Sequence, residues 1–338
     1  MADQVLIATE TGGYDVVPSA GWRKFKPTED PGKTRVRTYE HRGIGDGGLA
    51  DAEEVRVVED GAEGPITLPA QSNGMGMLLR ACASTATSDV VEDGEDAFVQ
   101  AFGFGGDGAP TGTTLCTEAT RQRRSGTDDV WRYSGGKPTQ LTITQDKEGF
   151  VVFKFDVDYL RSERLGRVGG NPIVPRTPTI PDIALRYLMR DAQIRVKIVG
   201  DEGAGTARCF ESFSLTIPLQ LDVEDTCINR SVRRHEPSRN GVFMPTGAGA
   251  WKYDDPLFYD AFVSGELLEV VADWVGPVAI EDTTFPSLTV SLGSIRYTGD
   301  DPQVEVDARA KQDLPFECRS LGGADPVTID LVTSDTGF

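Results

Sequence analysis

Hydrophobic and polar side chains alternate with a period of two along much of this sequence, the pattern of strands with one dry and one wet face. The clearest run is 134–160, SGGKPTQLTITQDKEGFVVFKFDVDYL. Leu141 and Ile143 alternate with Thr142 and Thr144, and residues 145–149 turn the chain. On the return, Val151, Phe153, Phe155, Val157 and Tyr159 fall on one side and Lys154, Asp156 and Asp158 on the other. This predicts a hairpin with a dry face and a charged face.

The rest of the first half is read the same way. A strand is expected over 34–40 and a short extended piece over 66–68. Met75, Leu78, Leu79 and Cys82 recur at helical spacing and predict a short helix with Ser72 or Asn73 as its N-cap. The acidic stretch 88–98 reads as a solvated loop entering a strand at 97–104, and the Gly/Thr-rich stretch 103–114 as a long exposed loop. Strands near 114–122 and 130–133 lead into the hairpin. Prolines at 172, 175, 178 and 181 then mark an extended connector.

Alternation restarts beyond it. Ile194, Val196 and Ile198 form one run, and Phe213, Leu215, Ile217, Leu219, Leu221 and Val223 a longer one, with Pro218 suggesting an edge or a bend. Leu257, Phe258, Ala261 and Phe262 predict a second short helix facing inward, capped by Asp254 or Asp255, with Pro256 in its first turn and Gly265 at its end. Residues 287–311 repeat the hairpin plan: Leu288, Val290 and Leu292 run to a turn at 299–302, and Val304, Val306, Ala308 and Ala310 then alternate with Glu305, Asp307, Arg309 and Lys311. QLTI (140–143), SLTI (214–217) and SLTV (287–290) echo one another. The expected fold is all-β and mainly antiparallel: two tandem β-sandwich or β-barrel-like modules, each with one short α-helix, at 1–165 and 183–338, joined by the connector 166–182.

Composition fits strands and turns. Of 338 residues, 38% are hydrophobic, and 38 glycines and 20 prolines punctuate the chain. No apolar run approaches the ~20 residues that cross a bilayer, so no membrane partner is expected. The first fifteen residues lack the basic region and apolar core of a signal peptide, which predicts synthesis in a cytoplasm. The odd set Cys82, Cys116, Cys209, Cys227 and Cys318 has no C-x-x-C spacing and reads as buried free thiols. A net charge of −19 argues against binding nucleic acid through phosphate neutralisation, and an acidic wall would let DNA pass without sticking.

Catalytic and cofactor motifs are missing. His41 and His235 stand alone, outside any metal spacing, and read as surface-loop residues. Residues 103–108 match G-x-G-x-x-G, but APTGTT follows where a dinucleotide site needs a helix. Neither Asp146 with Asp156 and Asp158 nor the run 92–96 forms a calcium loop. No cofactor, no metal and no enzyme activity are expected. Two basic clusters, Arg121 with Arg123 and Arg124, and Arg230 with Arg233 and Arg234, suit ion pairing between subunits or a solvated loop face.

GPITLPAQSNGMGMLLRACAS (64–84) followed by YSGGKPTQLTITQDKEGFVVFKFDV (133–157) resembles the first part of the tail tube proteins of long-tailed, siphovirus-like bacteriophages. FSLTIPLQLDVED, DDPLFYDAFVSGELLEVVADW and PFEC resemble the remainder of the larger members. The resemblance implies a virion tail protein whose strands join those of its neighbours into a ring, with rings stacking into a tube through which the genome leaves the capsid. The hairpin's charged face would then line the bore, with Thr142, Thr144, Lys154, Asp156, Asp158, Glu305, Asp307 and Arg309 facing the lumen. Gly105, Asp107 and Thr111, and the basic residues Arg123, Arg124, Arg233 and Arg234, would meet neighbouring subunits or rings, and 88–96 would order against the next ring. About 24 strands tilted by about 40° close at roughly 48 Å between backbones. Two modules per chain favour three chains per ring, with six as the alternative. Further partners would be the tape measure, terminator and distal tail proteins, with DNA passing transiently. A rival reading is an adhesin or carbohydrate-binding β-sandwich on a tail tip or cell surface. It would need exposed aromatics grouped on one face, whereas Trp22, Trp131, Trp251 and Trp274 are scattered through apolar contexts.

Overall fold

The computed structural model describes residues 4–10, 13–28, 33–42, 54–91, 96–105, 113–122, 128–165, 186–222, 236–252, 256–299 and 311–336. In the first half these form β1 (Gln4–Glu10), β2 (Arg23–Phe25), β3 (Thr34–Arg42), β4 (Glu54–Pro69), α1 (Met75–Cys82), β5 (Thr85–Val90), β6 (Phe98–Phe104), β7 (Thr114–Gln122), β8 (Asp128–Asp146) and β9 (Val152–Leu165). The second half gives β10 (Ala192–Ile198), β11 (Thr206–Arg208), β12 (Phe210–Pro218), β13 (Leu221–Asp222), β14 (Ser238–Arg239), β15 (Thr246–Lys252), α2 (Leu257–Ser264), β16 (Leu268–Val275), β17 (Ser287–Tyr297), β18 (Lys311–Cys318) and β19 (Val327–Thr333). The protein is all-β with antiparallel ladders and, among the described residues, two short α-helices, one in each half. The connector 166–182 lies outside the described residues.

The alternation read from sequence sets the core. Val151, Phe153, Phe155, Val157 and Tyr159 are all buried, as are Leu141 and Ile143. In the second half, Phe213, Leu215 and Ile217 on β12 and Leu288, Val290 and Leu292 on β17 are buried likewise.

The two halves share their sheets. β8 pairs with β12, matching Leu141 to Ile217 and Ile143 to Leu215, while β6 pairs with β19 from Phe104–Val327 to Phe98–Thr333. Seventeen strands form one hydrogen-bonded network. The echoing QLTI and SLTI segments are thus direct neighbours, whereas SLTV sits on β17 between β16 and β19. A third tie joins the halves at α1. The backbone N–H of Gly74 donates to Asp335 Oδ2 (2.5 Å), Asp335 also binds Arg23 (2.8 Å), and Asn73 Nδ2 donates to Ser334 Oγ (2.9 Å).

That tie corrects the expected cap. Neither Ser72 nor Asn73 caps α1; Gly74 holds that position in the left-handed region at φ 86°, and the carboxylate of Asp335 serves its free N–H. α1 is buried on nearly every side, not only along its predicted stripe, because β6 and β8 both pack on it. In α2, Pro256 occupies the cap position; Asp254 and Asp255 lie outside the described residues. Gly265 ends the helix at φ 74°, as its sequence position implied. Phe258 and Ala261 face inward, but Phe262 is 42% exposed and rests edge-on against Tyr297.

Several other expectations change. Residues 88–90, expected in a loop, belong to strand β5, because pairing with β6 overrides their polarity. His41 belongs to strand β3, and Cys209 is exposed while Cys82, Cys116 and Cys318 are buried. β17 makes its long ladders with β16 and β19 and three pairs with β18, while the expected return strand at 304–310 lies outside the described residues. Strand β15, TGAGAWK, is unanticipated: its dry side carries Gly247 and Gly249, with no hydrophobic alternation to announce it. Phenylalanine rings from adjacent strands occupy the space instead. A Cβ on Gly247 would stand 2.2 Å from Phe316 Cζ, and one on Gly249 2.9 Å from Phe210 Cδ1.

Candidate functional site

The hairpin's wet face extends over six strands, in the order β4-β9-β8-β12-β15-β18. Directly paired residues point to the same side of a sheet. One cross-strand row therefore reads Thr67, Lys154, Thr142, Thr216, Thr246, Glu317. The next reads Val152, Thr144, Ser214, Ala248, Pro315, and the third contains Asp146, Ser212, Ala250 and Asp313. Thr144, Thr246, Ala248 and Asp313 are exposed, and Thr142, Ser214 and Thr216 are half-buried. The middle of the face is built from hydroxyls and methyls, and charge is confined to its borders.

Carboxylates within the chain hold cations at those borders. Lys154 Nζ lies 3.1 Å from Asp156 Oδ1, two residues along the same strand. On the far side Glu317 binds Arg319 at 2.7 Å and faces Arg296 across the ladder. Thr142, Thr144, Lys154 and Asp156 are therefore brought together as the alternation predicted. Asp158 is closed over instead, at 5% exposure. Its cross-strand neighbour Lys137 is equally buried and reaches Glu236 at 2.7 Å, which brings a carboxylate of the second half to that end of the face. Glu305, Asp307 and Arg309 lie outside the described residues, as do Asp107, Thr111, Arg123, Arg124, Arg233 and Arg234. Gly105 is described. It has φ 140°, and a Cβ there would meet Pro326 Cδ at 2.3 Å, so it packs against the turn before β19.

The residues missed by the hairpin reading are Thr246, Ala248, Asp313 and Glu317, together with the extension of the face onto Ser214 and Thr216. The echo of QLTI by SLTI was a usable signal for β12, because like segments lie side by side. β15 gave none, for the reason its glycines supply.

The outer margin of β4 is covered from within. Lys33 Nζ donates to the carbonyls of Gly64 (2.8 Å) and Pro65 (2.5 Å), and the N–H of Thr28 donates to Thr67 O (2.9 Å). Such cover blunts a strand edge that would otherwise recruit another strand. Lys33 also lies over the Tyr159 ring, 5.3 Å from its centroid. Burial pushes its pKa down to about 7, against the charge of Asp156, which favours the ammonium. The unfolded chain keeps this proton up to the ordinary value of 10.5, so between these limits it binds more protons than the fold, and stability rises with pH. Urea titrations of wild type and Lys33→Met at pH 7 and at about pH 9 should show a wild-type gain that the variant lacks.

A second buried group lies where β1 meets β7 and β8. Glu10 accepts hydrogen bonds from Thr114 Oγ1 (2.6 Å) and the N–H groups of Gly135 (2.7 Å) and Asp15 (2.9 Å). Burial pushes its carboxyl above the usual range despite these donors. The three bonds tie the end of β1 to the glycine bend of β8, which is a structural role. Among the described residues no three His, Cys, Asp or Glu side chains gather as a metal site, and no helix is long and apolar enough to cross a membrane.

The phage tail tube protein family model matches residues 3–318. The chain belongs to that family. No curated protein matches it by sequence. The match covers nearly the whole chain, including both halves, both helices and all six strands of the hydroxyl face. The family is structural and not one of enzymes, and membership makes this a phage tail protein that assembles with itself into a tube. An aromatic platform of the kind a glycan-binding module uses is absent among the described tryptophans. Trp22, Trp251 and Trp274 are buried, and half-buried Trp131 lies under Arg164.

Proposed function

We propose that this tail tube protein forms rings whose inner wall is the six-strand hydroxyl face, and that the stacked rings conduct the phage genome into the host. The observation carrying this reading is the row Thr142, Thr216, Thr246, flanked by cations already held by carboxylates of the same chain. Such a wall is wetted by hydroxyls, and the middle of its rows offers a phosphate backbone no lysine or arginine, the ladder pair Lys252–Lys311 standing at the far end of β15 and β18, so it supports passage without retention. On the dry side of the same strands β8 packs on α1, and Phe210 of β12 and Trp251 of β15 pack on Phe258 of α2, which leaves the wet side for the bore.

The strand count favours three chains per ring. Extended by β3 beyond β4 and by β17 beyond β18, the six-strand wall becomes a hydrogen-bonded run of eight, and three such runs supply the 24 of a barrel with an aqueous channel. β3 ends this run and, among the described residues, pairs only with β4, so it is the margin suited to receive a neighbour. Rings of six, with one half of each chain in the wall, are the alternative. The halves 1–165 and 183–338 act in this reading as sequence modules fused through shared ladders. Residues 88–96, the loop holding Gly105, Asp107 and Thr111, and the arginines 123, 124, 233 and 234 are proposed contacts between subunits or rings. The tape measure, terminator and distal tail proteins are the proposed partners at the tube's ends. Negative-stain electron microscopy of purified protein tests the proposal. Stacked hollow rings with threefold modulation are expected, and discrete monomers under all assembly conditions would reject it.

A further inference from the structure

Two unpartnered features lie at opposite ends of β12. At its C-terminal end, residues 240–245 form a tight projecting loop. The N–H of Asn240 donates to Gln220 O (2.6 Å), Gly241 turns at φ 126°, and Arg239 lies over the Phe243 ring, 4.9 Å from its centroid. The pinned loop holds Val242 at 82% exposure and Met244 at 40%. At the N-terminal end, a groove of about 360 Å³ opens between β8, β10, β11 and β12, lined by Gln145, Ile194, Arg208, Cys209, Phe210 and Phe213. Its floor is apolar. Gln145 is 5% exposed and donates to Asp146 O (2.7 Å), but its Oε1 accepts no bond.

We infer that the loop 240–245 of one copy seats in this groove of the next copy along the tube, with Val242 on the phenylalanine floor. The inference rests on the tube reading above and names its inter-ring contact. The geometry argues for a second copy as occupant. Loop and groove terminate the same strand of nine residues, about 30 Å apart at ~3.3 Å per residue. A copy displaced along the strand direction brings the two together. The contact is heterologous, one surface meeting a different one, and so repeats without closing, as a growing tube requires.

Val242→Ser tests it, because it removes the apolar contact with the phenylalanine floor without adding a charge that Arg190, Arg208, Asp146 or Glu211 of the groove could pair with, while the exposed site leaves the fold alone. The monomer's thermal melt should stay at its wild-type midpoint, and tube yield should fall by about tenfold or more. A second arm uses the native thiol at the groove. In tubes of Val242→Cys, a short bismaleimide should join the introduced thiol of one copy to Cys209 of the next and give a ladder of multimers on a denaturing gel. Adding Cys209→Ser should abolish the ladder. Wild-type tube yield from Val242→Ser, or a ladder that is absent or indifferent to Cys209, overturns the inference and leaves the tube reading intact. A wild-type chain that never forms tubes overturns both.

Discussion

Exchanging Thr142, Thr216 and Thr246 together for lysine is expected to leave the rings standing and make them grip DNA. The three side chains sit side by side on β8, β12 and β15, on the wet face, and none contributes to the core. The wild-type row presents hydroxyls, and the cation that shares it, Lys154, is held by Asp156 at 3.1 Å. Three new ammonium groups have no such partners. Each one that meets a phosphate adds about 0.9 to the slope of log K against log salt, so three per chain give a slope of about −2.7 and a loss of about forty-fold between about 50 and 200 mM salt. Labelled duplex DNA should be retained by variant tubes at low salt and released as salt rises, and virions carrying the variant should eject their genome slowly. A triple glutamine control separates added bulk from added charge. Lysine tubes that pass DNA like wild type would place this face away from the bore.

The largest effect on stability is expected at Leu215. It is fully buried on β12, paired with Ile143 of the first half and, on its other side, with Gly247 of β15. Truncation to alanine should cost about 2–5 kcal/mol through lost burial and the cavity left behind. The informative part is where the loss appears. Because β8 and β12 share one ladder, Trp131 in the first half and Trp251 and Trp274 in the second should report a single transition, displaced as a whole. Single-tryptophan variants followed through urea unfolding separate the outcomes. Two transitions, with only that of the second half displaced, would show that the halves fold independently across the seam.

The readability of this fold from its sequence followed the chemistry of each strand. Where a dry face is made of side chains, as on β9 and β12, alternation located the strand and its wet partners, including Thr142, Thr144, Lys154 and Asp156. Where the dry face is made by a neighbour's ring filling the space over glycine, as on β15, the pattern was silent and Thr246 and Ala248 went unseen. Polar β5 escaped notice because its pairing with β6 decides its conformation, and pairing partners are not written locally. The cap of α1 failed for the same reason. Its carboxylate, Asp335, comes from the far end of the sequence. The fusion of the halves was hinted at by the QLTI and SLTI echo, but similarity suggests a shared plan and does not reveal that the copies touch. Asp158 alternates with the wet residues and is nonetheless buried, beside a lysine, Lys137, whose carboxylate partner Glu236 comes from elsewhere in the sequence.

The ladder between β6 and β19 has a consequence for biosynthesis. During translation β6 emerges early and must wait for β19, and the ribosome needs on the order of ten seconds to cover the distance between them. Throughout that interval the nascent chain carries an open seam at β6, another at β8 and an uncapped α1. A protein with so many long-range pairings also folds slowly after release. Chaperone dependence during infection is the expected outcome, and expressing 1–165 and 183–338 as separate polypeptides should yield two insoluble fragments that recover a fold only when refolded together.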